Sequence, residues 1–245
     1  MQQYFAKTLE NDVFTLQEND FHHIIDVMRF DNGSHILVGY QGSLYLCALI
    51  IDNGLCKAQI IEKRASNSEF ACEITLIYGL PKTEKFEMVL QKATELGVTR
   101  IVPFLSERSV VKLETAKISK KMERWEKIIK EAAEQSHRSE VPSLVLPIKE
   151  SELGNYLSEL NLCGDETKCG AGSGELFSLL ETKPLSISFI IGPEGGFSSR
   201  EFQLFTKLGF KGISLGNRIL RSETAVIYLL SIIGFMLENK GEKHD

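Results

Sequence analysis

The chain has 245 residues, enough for one or two domains, and its 43% apolar and 25% charged residues are ordinary for a soluble globular protein. No apolar run approaches the roughly 18 residues that span a bilayer, and the start MQQYFAKTLEND lacks the basic and apolar segments of a signal peptide. The five cysteines form no C-x-x-C pair, which argues against zinc or a disulfide framework and favours a reducing cytoplasm.

The net charge of -5 argues weakly against a nucleic-acid partner, but the charge is unevenly distributed. Residues 1–70 carry 5 Lys/Arg and 9 Asp/Glu, a net charge of -4. Residues 82–138 carry 13 and 9, a net charge of +4. Any surface that binds a polyanion is therefore expected in the middle of the chain.

Residues 1–70 are predicted to form a compact β-rich module with one short helix. HILVGYQGSLYLCALIIDNG, residues 35–54, has alternating stretches around a Gln41-Gly42 turn. NDFHHIIDVMRFDNGSH, residues 19–35, has apolar residues at helical spacing between a polar start and an Asp-Asn-Gly stop. The polar stretch EKRASNSEFA then interrupts the pattern, so the first domain is predicted to end at residue 70.

From residue 71 on, strands alternate with helices. The predicted strands are CEITLIYGL, RIVPFLS, SLVLP, SISFIIGP and KGISLG. The predicted helices are KTEKFEMVLQKATELG, KISKKMERWEKIIKEAAEQSHR, SELGNYLSEL, SSREFQLFTKLG and TAVIYLLSIIGFMLEN. This alternation predicts an α/β domain over residues 71–245, with a mostly parallel sheet and helices on both faces. The last helix is apolar around its circumference, so a partner subunit is expected to cover part of it.

The stretch FIIGPEGGFSSREF, residues 189–202, is the first candidate binding loop. Open α/β sheets bind ligands beyond the carboxyl ends of their strands, but a capped turn whose glycines only permit positive φ explains the same residues. Ser198 and Glu201 form an S-x-x-E capping box. The spacing fits neither a P-loop nor a G-x-S-x-G nucleophile elbow. The residues alone leave the ligand loop and the capped turn open.

The stretch LGNRILRSETAVIYLL, residues 215–230, is the second candidate, and it is expected at the same edge of the sheet. Arg218, Arg221 and Glu223 are surface charges before a capped helix in one interpretation. In the other, the loop backbone clasps a ligand and an arginine binds a phosphate. The G-x-G-x-G of CGAGSGE, residues 169–175, follows the polar GDETK and is interpreted as a surface loop.

Five stretches resemble, in this order, the 16S ribosomal RNA uridine-N3 methyltransferase family (RsmE type): KFEMVLQKATELGV, SERSVV, EAAEQSHR, IGPEGGFSSRE and LGNRILRSETA. The N-terminal HHIIDVMR fits the same family, so the resemblance covers essentially the whole chain. It implies a PUA-like RNA-binding β-barrel over residues 1–70 and a SPOUT methyltransferase domain over residues 71–245. It also implies a deep trefoil knot and a homodimer formed through the C-terminal domain.

The resemblance further implies S-adenosyl-L-methionine as cofactor, bound bent within the knot and held largely by backbone groups, and no metal. The implied cofactor-binding positions are Ile191, Gly192, Leu215, Gly216, Asn217, Ile219 and Leu220. The implied RNA-binding positions are Arg29, Arg108, Glu131, Gln135 and Arg138. Without the resemblance, the default interpretation of Arg108, Glu131, Gln135 and Arg138 is that they lie on a solvated surface.

Methylation of uridine N3 requires removal of the imide proton, so a positioned general base is expected. Glu223 and Glu194 are the carboxylates nearest the expected cofactor loops, with Glu223 ranked first. Arg221 is expected to stabilise charge on O2 or O4, or to anchor a phosphate. Because N3 lies on the Watson–Crick edge, the target in 16S rRNA must be unpaired or splayed out. The alternatives are a non-catalytic RNA-binding or ribosome-assembly factor, and a knotted methyltransferase acting on transfer RNA.

Overall fold

The structure, a computed structural model, describes residues 1–52, 54–81, 83–109 and 115–238. By internal contacts these residues divide into two compact units: Met1–Glu69 with Lys130–Val141, and Phe70–Ile129 with the described residues from Pro142 on. A single boundary after residue 70 does not describe this division, because the segment Lys130–Val141 packs with the first unit. Residues 110 and 111 of the SERSVV stretch lie outside the described ranges.

The first unit is built on a closed β-barrel with strand order β1-β2-β5-β4-β3. Its elements are β1 (Gln3–Glu10), β2 (Val13–Leu16), the short helix α1 (Asp20–His22) with a π-helical continuation (His23–Val27), β3 (His35–Tyr40), β4 (Ser43–Asp52) and β5 (Leu55–Arg64). A parallel pairing of β1 with β3 closes the barrel, and the other neighbours are antiparallel. Gln41 and Gly42 both have positive φ, as a type I′ two-residue hairpin requires, so the predicted turn is confirmed.

A buried ion cluster, which we call the Lys130 cluster, consists of Asp20, Lys130 and Glu134. Lys130 Nζ lies 2.6 Å from Asp20 Oδ1 and 3.0 Å from Glu134 Oε1. Burial raises the pKa of the Glu134 carboxyl to about 7, although the ammonium of Lys130 opposes this. Burial lowers the pKa of Lys130, but the two carboxylates outweigh it and hold that pKa above its ordinary value. Lys130 therefore stays charged inside the first unit.

Arg138 is also buried, with 2% of its surface exposed. Its Nη2 lies 2.5 Å from Glu69 Oε2, and its backbone carbonyl accepts a hydrogen bond of 2.6 Å from Gln3 Nε2. Burial raises the pKa of Glu69, but the hydrogen bonds from Arg138 outweigh it and hold that pKa below its ordinary value. The expected RNA contact by Arg138 is thus corrected: its guanidinium is enclosed and already paired with a carboxylate.

The second unit contains a six-stranded sheet of order β11-β9-β10-β6-β7-β8, in which every pairing is parallel. Its strands are β6 (Glu73–Gly79), β7 (Arg100–Phe104), β8 (Ser143–Leu144), β9 (Leu160–Gly164), β10 (Ser186–Ile191) and β11 (Lys211–Ile213). Its helices are α2 (Thr83–Glu95), α3 (Thr115–Gln135, whose end belongs to the first unit), α4 (Gly174–Glu181), α5 (Ser199–Lys207) and α6 (Ser222–Glu238). The predicted parallel α/β organisation is confirmed.

Three elements of the second unit differ from the sequence prediction. Strand β9 and helix α4 were not predicted, and β9 contributes only five residues, including Asn161, so its apolar signal is short. SELGNYLSEL was predicted as an α-helix, but it contains most of a 3₁₀ helix, Glu150–Tyr156, and then the start of β9. The GDETK segment therefore follows a buried strand after all. The strand order does not establish the expected knot, which stays a prediction.

The core of the second unit lies on both faces of its central strands. Strands β6 and β10 are buried over nearly their whole length, which is typical of a parallel sheet covered on both sides. Tyr78 of β6 stacks on Phe86 of α2, and the edge of the single tryptophan, Trp125, packs on Phe86 with ring centroids 4.7 Å apart. Among the described helices, none combines the length and apolar character needed to cross a membrane.

Candidate active site

A cleft of about 420 Å³ lies at the carboxyl ends of three neighbouring strands of the second unit. The loops that follow β9, β10 and β11 line it, together with the start of α6 and Lys85 of α2. Because parallel strands end at the same edge, loops distant in sequence meet there. The two candidate loops of the sequence analysis are thus brought together.

Most of the expected cofactor positions border this cleft. The lining includes Ile191, Gly192, Leu215, Gly216, Ile219 and Leu220. Asn217 is exposed and is not part of the lining. Glu166 lines the cleft from the segment after β9, so the GDETK stretch contributes to the site. The expected catalytic residues Glu194 and Arg221 also lie in the lining.

Glycines allow the loop after β10 to pack closely on its neighbours. A Cβ on Gly79, at the end of β6, would lie 2.8 Å from the backbone nitrogen of Pro193, closer than real Cβ atoms approach. Gly196 has a φ of +63°, and a Cβ there would lie 3.2 Å from Glu166 Oε1. Gly196 therefore serves a turn with positive φ and close packing on Glu166, while Gly79 leaves room for Pro193. The ligand-loop interpretation stays a prediction.

Glu201 joins two loops at this edge of the sheet. The predicted capping box is confirmed: Ser198 Oγ accepts a hydrogen bond from Glu201 N at 3.2 Å, and Glu201 Oε2 accepts one from Ser198 N at 2.7 Å. The other oxygen, Oε1, accepts a hydrogen bond of 2.8 Å from Glu107 N, in the loop after β7. Next to it, Arg108 is exposed and donates from Nη1 to the Gly195 carbonyl at 2.9 Å. The sequence pattern did not predict this second function of Glu201.

Lys85 lies between the two candidate bases. Its Nζ is 3.2 Å from Glu194 Oε1 and 3.8 Å from Glu223 Oε1. Glu194 lines the cleft with 39% of its side chain exposed, whereas only 11% of the Glu223 side chain is exposed and Glu223 is not part of the lining. Nothing in the sequence pattern distinguishes Lys85, although it begins the KFEMVLQKATELGV stretch and follows the carboxyl end of β6.

A buried hydrogen-bond chain braces Glu223 from the sheet. Burial raises the pKa of the Tyr78 phenol, which therefore stays protonated. The hydroxyls of Tyr78 and Ser222 are 2.8 Å apart, and the Ser222 hydroxyl donates to Glu223 Oε2 at 3.3 Å. Since the Ser222 proton is used in that bond, Tyr78 donates to Ser222. Both oxygens of Glu223 thus have polar neighbours, and the carboxylate is held at the start of α6.

Four of the five expected RNA-binding residues lie in the first unit, and three of these four are exposed. Arg29, Glu131 and Gln135 are exposed there, and Arg29 adopts a positive φ of 55°. In the second unit, Arg108, Arg218 and Arg221 are exposed near the cleft loops. Within the described ranges, no group of three His, Cys, Asp or Glu side chains is placed to hold a metal ion.

The lining suits a ligand that has both apolar and polar parts. Ile191, Leu215, Leu220 and Phe197 provide apolar surface, and the loop backbones and charged side chains surround it. The cleft volume falls within the range of small-molecule sites, roughly 300–1,000 Å³. A parallel α/β sheet with a strand-end cleft, in a chain that also carries a small β-barrel, defines a ligand-binding α/β protein with an accessory domain.

The chain belongs to the RNA methyltransferase family to which the ribosomal RNA small subunit methyltransferase E proteins belong. A model described as an RNA methyltransferase domain matches residues 68–234, and one described as an RNA methyltransferase PUA domain matches residues 16–61. Ribosomal RNA small subunit methyltransferase E from Bacillus subtilis is 35% identical, with 97% of this chain and 98% of that protein covered.

Two solved structures agree with this assignment. Ribosomal RNA small subunit methyltransferase E from Neisseria gonorrhoeae, bound to S-adenosyl methionine, is 27% identical with a TM-score of 0.85, and 96% of this chain and 98% of that chain are covered. A putative methyltransferase from Legionella pneumophila, in complex with the same cofactor, is 29% identical with a TM-score of 0.85. The match covers 95% of this chain and 96% of that chain. The family resemblance and the expected fold, a PUA-like barrel with a SPOUT-type α/β domain, are confirmed.

Proposed function

We propose that this protein is an S-adenosylmethionine-dependent methyltransferase that modifies N3 of a specific uridine in 16S rRNA of the small ribosomal subunit. The observation that carries the proposal is the cleft itself. Its two loops hold the GPEGG and LGNRILRSETA stretches, and they meet at one sheet edge in a chain whose relatives are ribosomal RNA methyltransferases over nearly their full length. The cleft has the size and mixed lining that the cofactor requires.

The cofactor would lie against the two loops. Ile191 and Gly192 from the loop after β10, with Leu215 and Gly216 from the loop after β11, would hold it through backbone groups and apolar contacts. Ile219 and Leu220 would cover it from the same second loop. When bound, S-adenosylmethionine supplies an electrophilic methyl group on a sulfonium.

The placement of the carboxylates favours Glu194 as the proton acceptor for uridine N3. Glu194 borders the cleft and is partly exposed, so an entering base reaches it directly. Glu223, ranked first from the sequence, lies behind the lining with both oxygens engaged, and it supports the site from there. Arg221 is exposed at the cleft and would anchor a phosphate of the RNA.

The RNA would contact exposed polar residues of both units. Arg108 and Arg29 would bind phosphates, and Glu131 and Gln135 would contact bases or sugars. The target uridine would be splayed out, because its N3 is otherwise paired or stacked. An activity on ribosomal RNA implies a cytoplasmic protein.

A homodimer is proposed through the C-terminal domain. Helix α6 buries Val226, Leu229, Leu230 and Ile233 in its own unit, yet Phe235 remains 67% exposed and Ile232 and Met236 are only partly buried. A second copy would cover this apolar side. Analytical ultracentrifugation measures the oligomeric state of the wild type and of Phe235→Asp. A dimeric wild type and a monomeric variant support the proposal, and a wild type that is monomeric at all concentrations refutes it.

The decisive experiment compares 16S rRNA from a deletion strain with that from the parent by mass spectrometry. Loss of one N3-methyluridine, restored by the wild-type protein on purified small subunits, is the expected result. If all methylated uridines persist in the deletion strain, the substrate is wrong, and transfer RNA is then tested in the same assay. Failure of S-adenosylmethionine to bind at millimolar concentration in calorimetry would instead support a non-catalytic RNA-binding or ribosome-assembly factor.

Two matched variants test the assignment of the base. Glu194→Gln removes the proton acceptor, so the single-turnover rate on small subunits is expected to fall by roughly 10²-fold or more. Glu223→Gln keeps the shape of the supporting group, so its single-turnover rate is expected to fall less than that of Glu194→Gln. If Glu223→Gln abolishes turnover and Glu194→Gln retains it, the two assignments are reversed.

A further inference from the structure

Lys85 takes no part in the reaction proposed above, yet it borders the cleft and two carboxylates hold its ammonium there. It lies in the first part of α2, directly after the carboxyl end of β6, and it borders the cleft. Its ammonium has Glu194 on one side and Glu223 on the other, at 3.2 and 3.8 Å. The side chain is 37% exposed, so an entering nucleobase can reach it.

The support behind Lys85 extends into the core. Glu223 is held through Ser222 by Tyr78, a fully buried residue of β6. The ammonium is therefore oriented before any substrate arrives. Such preorganisation makes a charged group effective in catalysis, because no reorganisation is needed when charge develops. Arg218 and Arg221, by contrast, are exposed on the opposite loop, and no ion pair holds either of them among the described residues.

We propose that Lys85 is a catalytic residue whose ammonium donates a hydrogen bond to a carbonyl oxygen, O4 or O2, of the target uracil. This inference rests on the proposed function and deepens it. In the reaction, the Glu194 carboxylate takes the proton from N3, and the N3 electron pair forms the bond to the methyl carbon as the carbon–sulfur bond breaks. The products are N3-methyluridine, S-adenosylhomocysteine and a proton that Glu194 releases to water. Lys85 keeps its proton throughout.

The position between the acceptor carboxylate and the base suits the movement of charge. Before proton transfer the negative charge is on Glu194, next to the Lys85 ammonium. As N3 loses its proton, Glu194 becomes neutral and the negative charge spreads over N3 and the two carbonyl oxygens. An ammonium that reaches both sites stays beside the negative charge during the step, and it thereby stabilises the anion that attacks the methyl group.

The experiment uses the full-length protein with Lys85→Met and Lys85→Arg, and Lys92→Met as the matched control. Lys92 lies on the same helix, has a similarly exposed side chain (40%), and pairs with Glu95 at 2.9 Å away from the cleft lining. Folding of each variant is checked by the fluorescence of Trp125, which packs on Phe86, the residue next to Lys85. Calorimetry measures S-adenosylmethionine affinity separately.

Single-turnover methylation is measured on small subunits reconstituted with 16S rRNA that contains either uridine or 5-fluorouridine. The fluorine makes the N3 proton more acidic and the anion more stable, so it replaces part of what Lys85 supplies. We expect Lys85→Met to lose about 10²-fold in rate on uridine, to recover at least about tenfold of that loss on 5-fluorouridine, and to bind cofactor as the wild type does. Lys85→Arg keeps the charge and is expected to retain more activity, and Lys92→Met to equal the wild type.

Two outcomes overturn the inference: a Lys85→Met rate equal to that of the wild type, or a loss that is the same on both RNAs. The second outcome would mean that Lys85 only maintains the shape of the cleft. The wild type serves to separate this inference from the proposed function. If it produces no N3-methyluridine, both are wrong, whereas a normal wild type with an unaffected Lys85→Met removes the inference alone.

Discussion

The Lys130 cluster predicts a pH dependence of the first unit that a single substitution removes. The pKa of Glu134 is about 7 in the folded protein against an ordinary value of 4.5, and this difference corresponds to roughly 3 kcal/mol. Because the folded state binds the proton more tightly, this stabilisation is fully present below pH 4.5 and is lost as the pH rises through 7. Lys130 remains protonated over this range and does not contribute to the change. Glu134→Gln is neutral throughout and is expected to lack the decline.

Hydrogen exchange of peptides from β1 and the end of α3 measures the opening free energy of the first unit directly. Wild type and Glu134→Gln are compared at the same pH, so that intrinsic exchange rates cancel. The opening free energy of the variant minus that of the wild type is expected to rise by up to roughly 3 kcal/mol from pH 5 to pH 8. Glu123→Gln, on an exposed part of the same helix, is the control and should follow the wild type. An equal difference between Glu134→Gln and wild type at both pH values would refute the reasoning.

Three further substitutions test contacts described above. Gly79→Ala places a methyl group against Pro193, and an overpacked contact of this kind costs roughly 1–3 kcal/mol. The affinity for S-adenosylmethionine, measured by calorimetry, should therefore fall about tenfold. In the control, Gly154→Ala, the added methyl group meets open space, so the cofactor should bind normally. Glu201→Gln turns one acceptor towards a backbone N–H into a donor, and urea unfolding followed by tryptophan fluorescence should show a loss of roughly 1–3 kcal/mol. Arg138→Met breaks a buried ion pair and should cost the first unit roughly 3–5 kcal/mol in hydrogen exchange; unchanged stability with lost RNA binding would restore its expected RNA contact.

The cleft could be located from the sequence because its evidence is local. Each candidate loop follows an apolar strand and precedes a helix, and parallel strands bring such loops to one edge. The capping box of Ser198 and Glu201 was predictable for the same reason, since both partners lie within one turn. The resemblance to a known family then indicated which ligand the loops are expected to hold.

The features that were missed depend on contacts between distant residues. Arg138 is paired with Glu69, 69 residues earlier in the chain, and nothing in the helix pattern distinguishes it from a solvated arginine. Lys85 lies in an amphipathic helix, where periodicity predicts the buried side but not which polar residue faces a cleft. Strand β9 is short and is enclosed by its neighbours in the sheet rather than by its own composition. In each case the tertiary partner, not the local pattern, decides the outcome.

The lengths of the outer strands have a consequence for how copies of this protein can associate. The six-stranded sheet ends in β11 on one side and β8 on the other, with only three and two residues, whereas the central β6 and β10 have seven and six. Such short edges present few unpaired backbone groups to another strand, and the barrel of the first unit is closed. Both sheets are therefore poor templates for strand addition. At high protein concentration, copies of this protein should associate through helical surfaces rather than form β-aggregates.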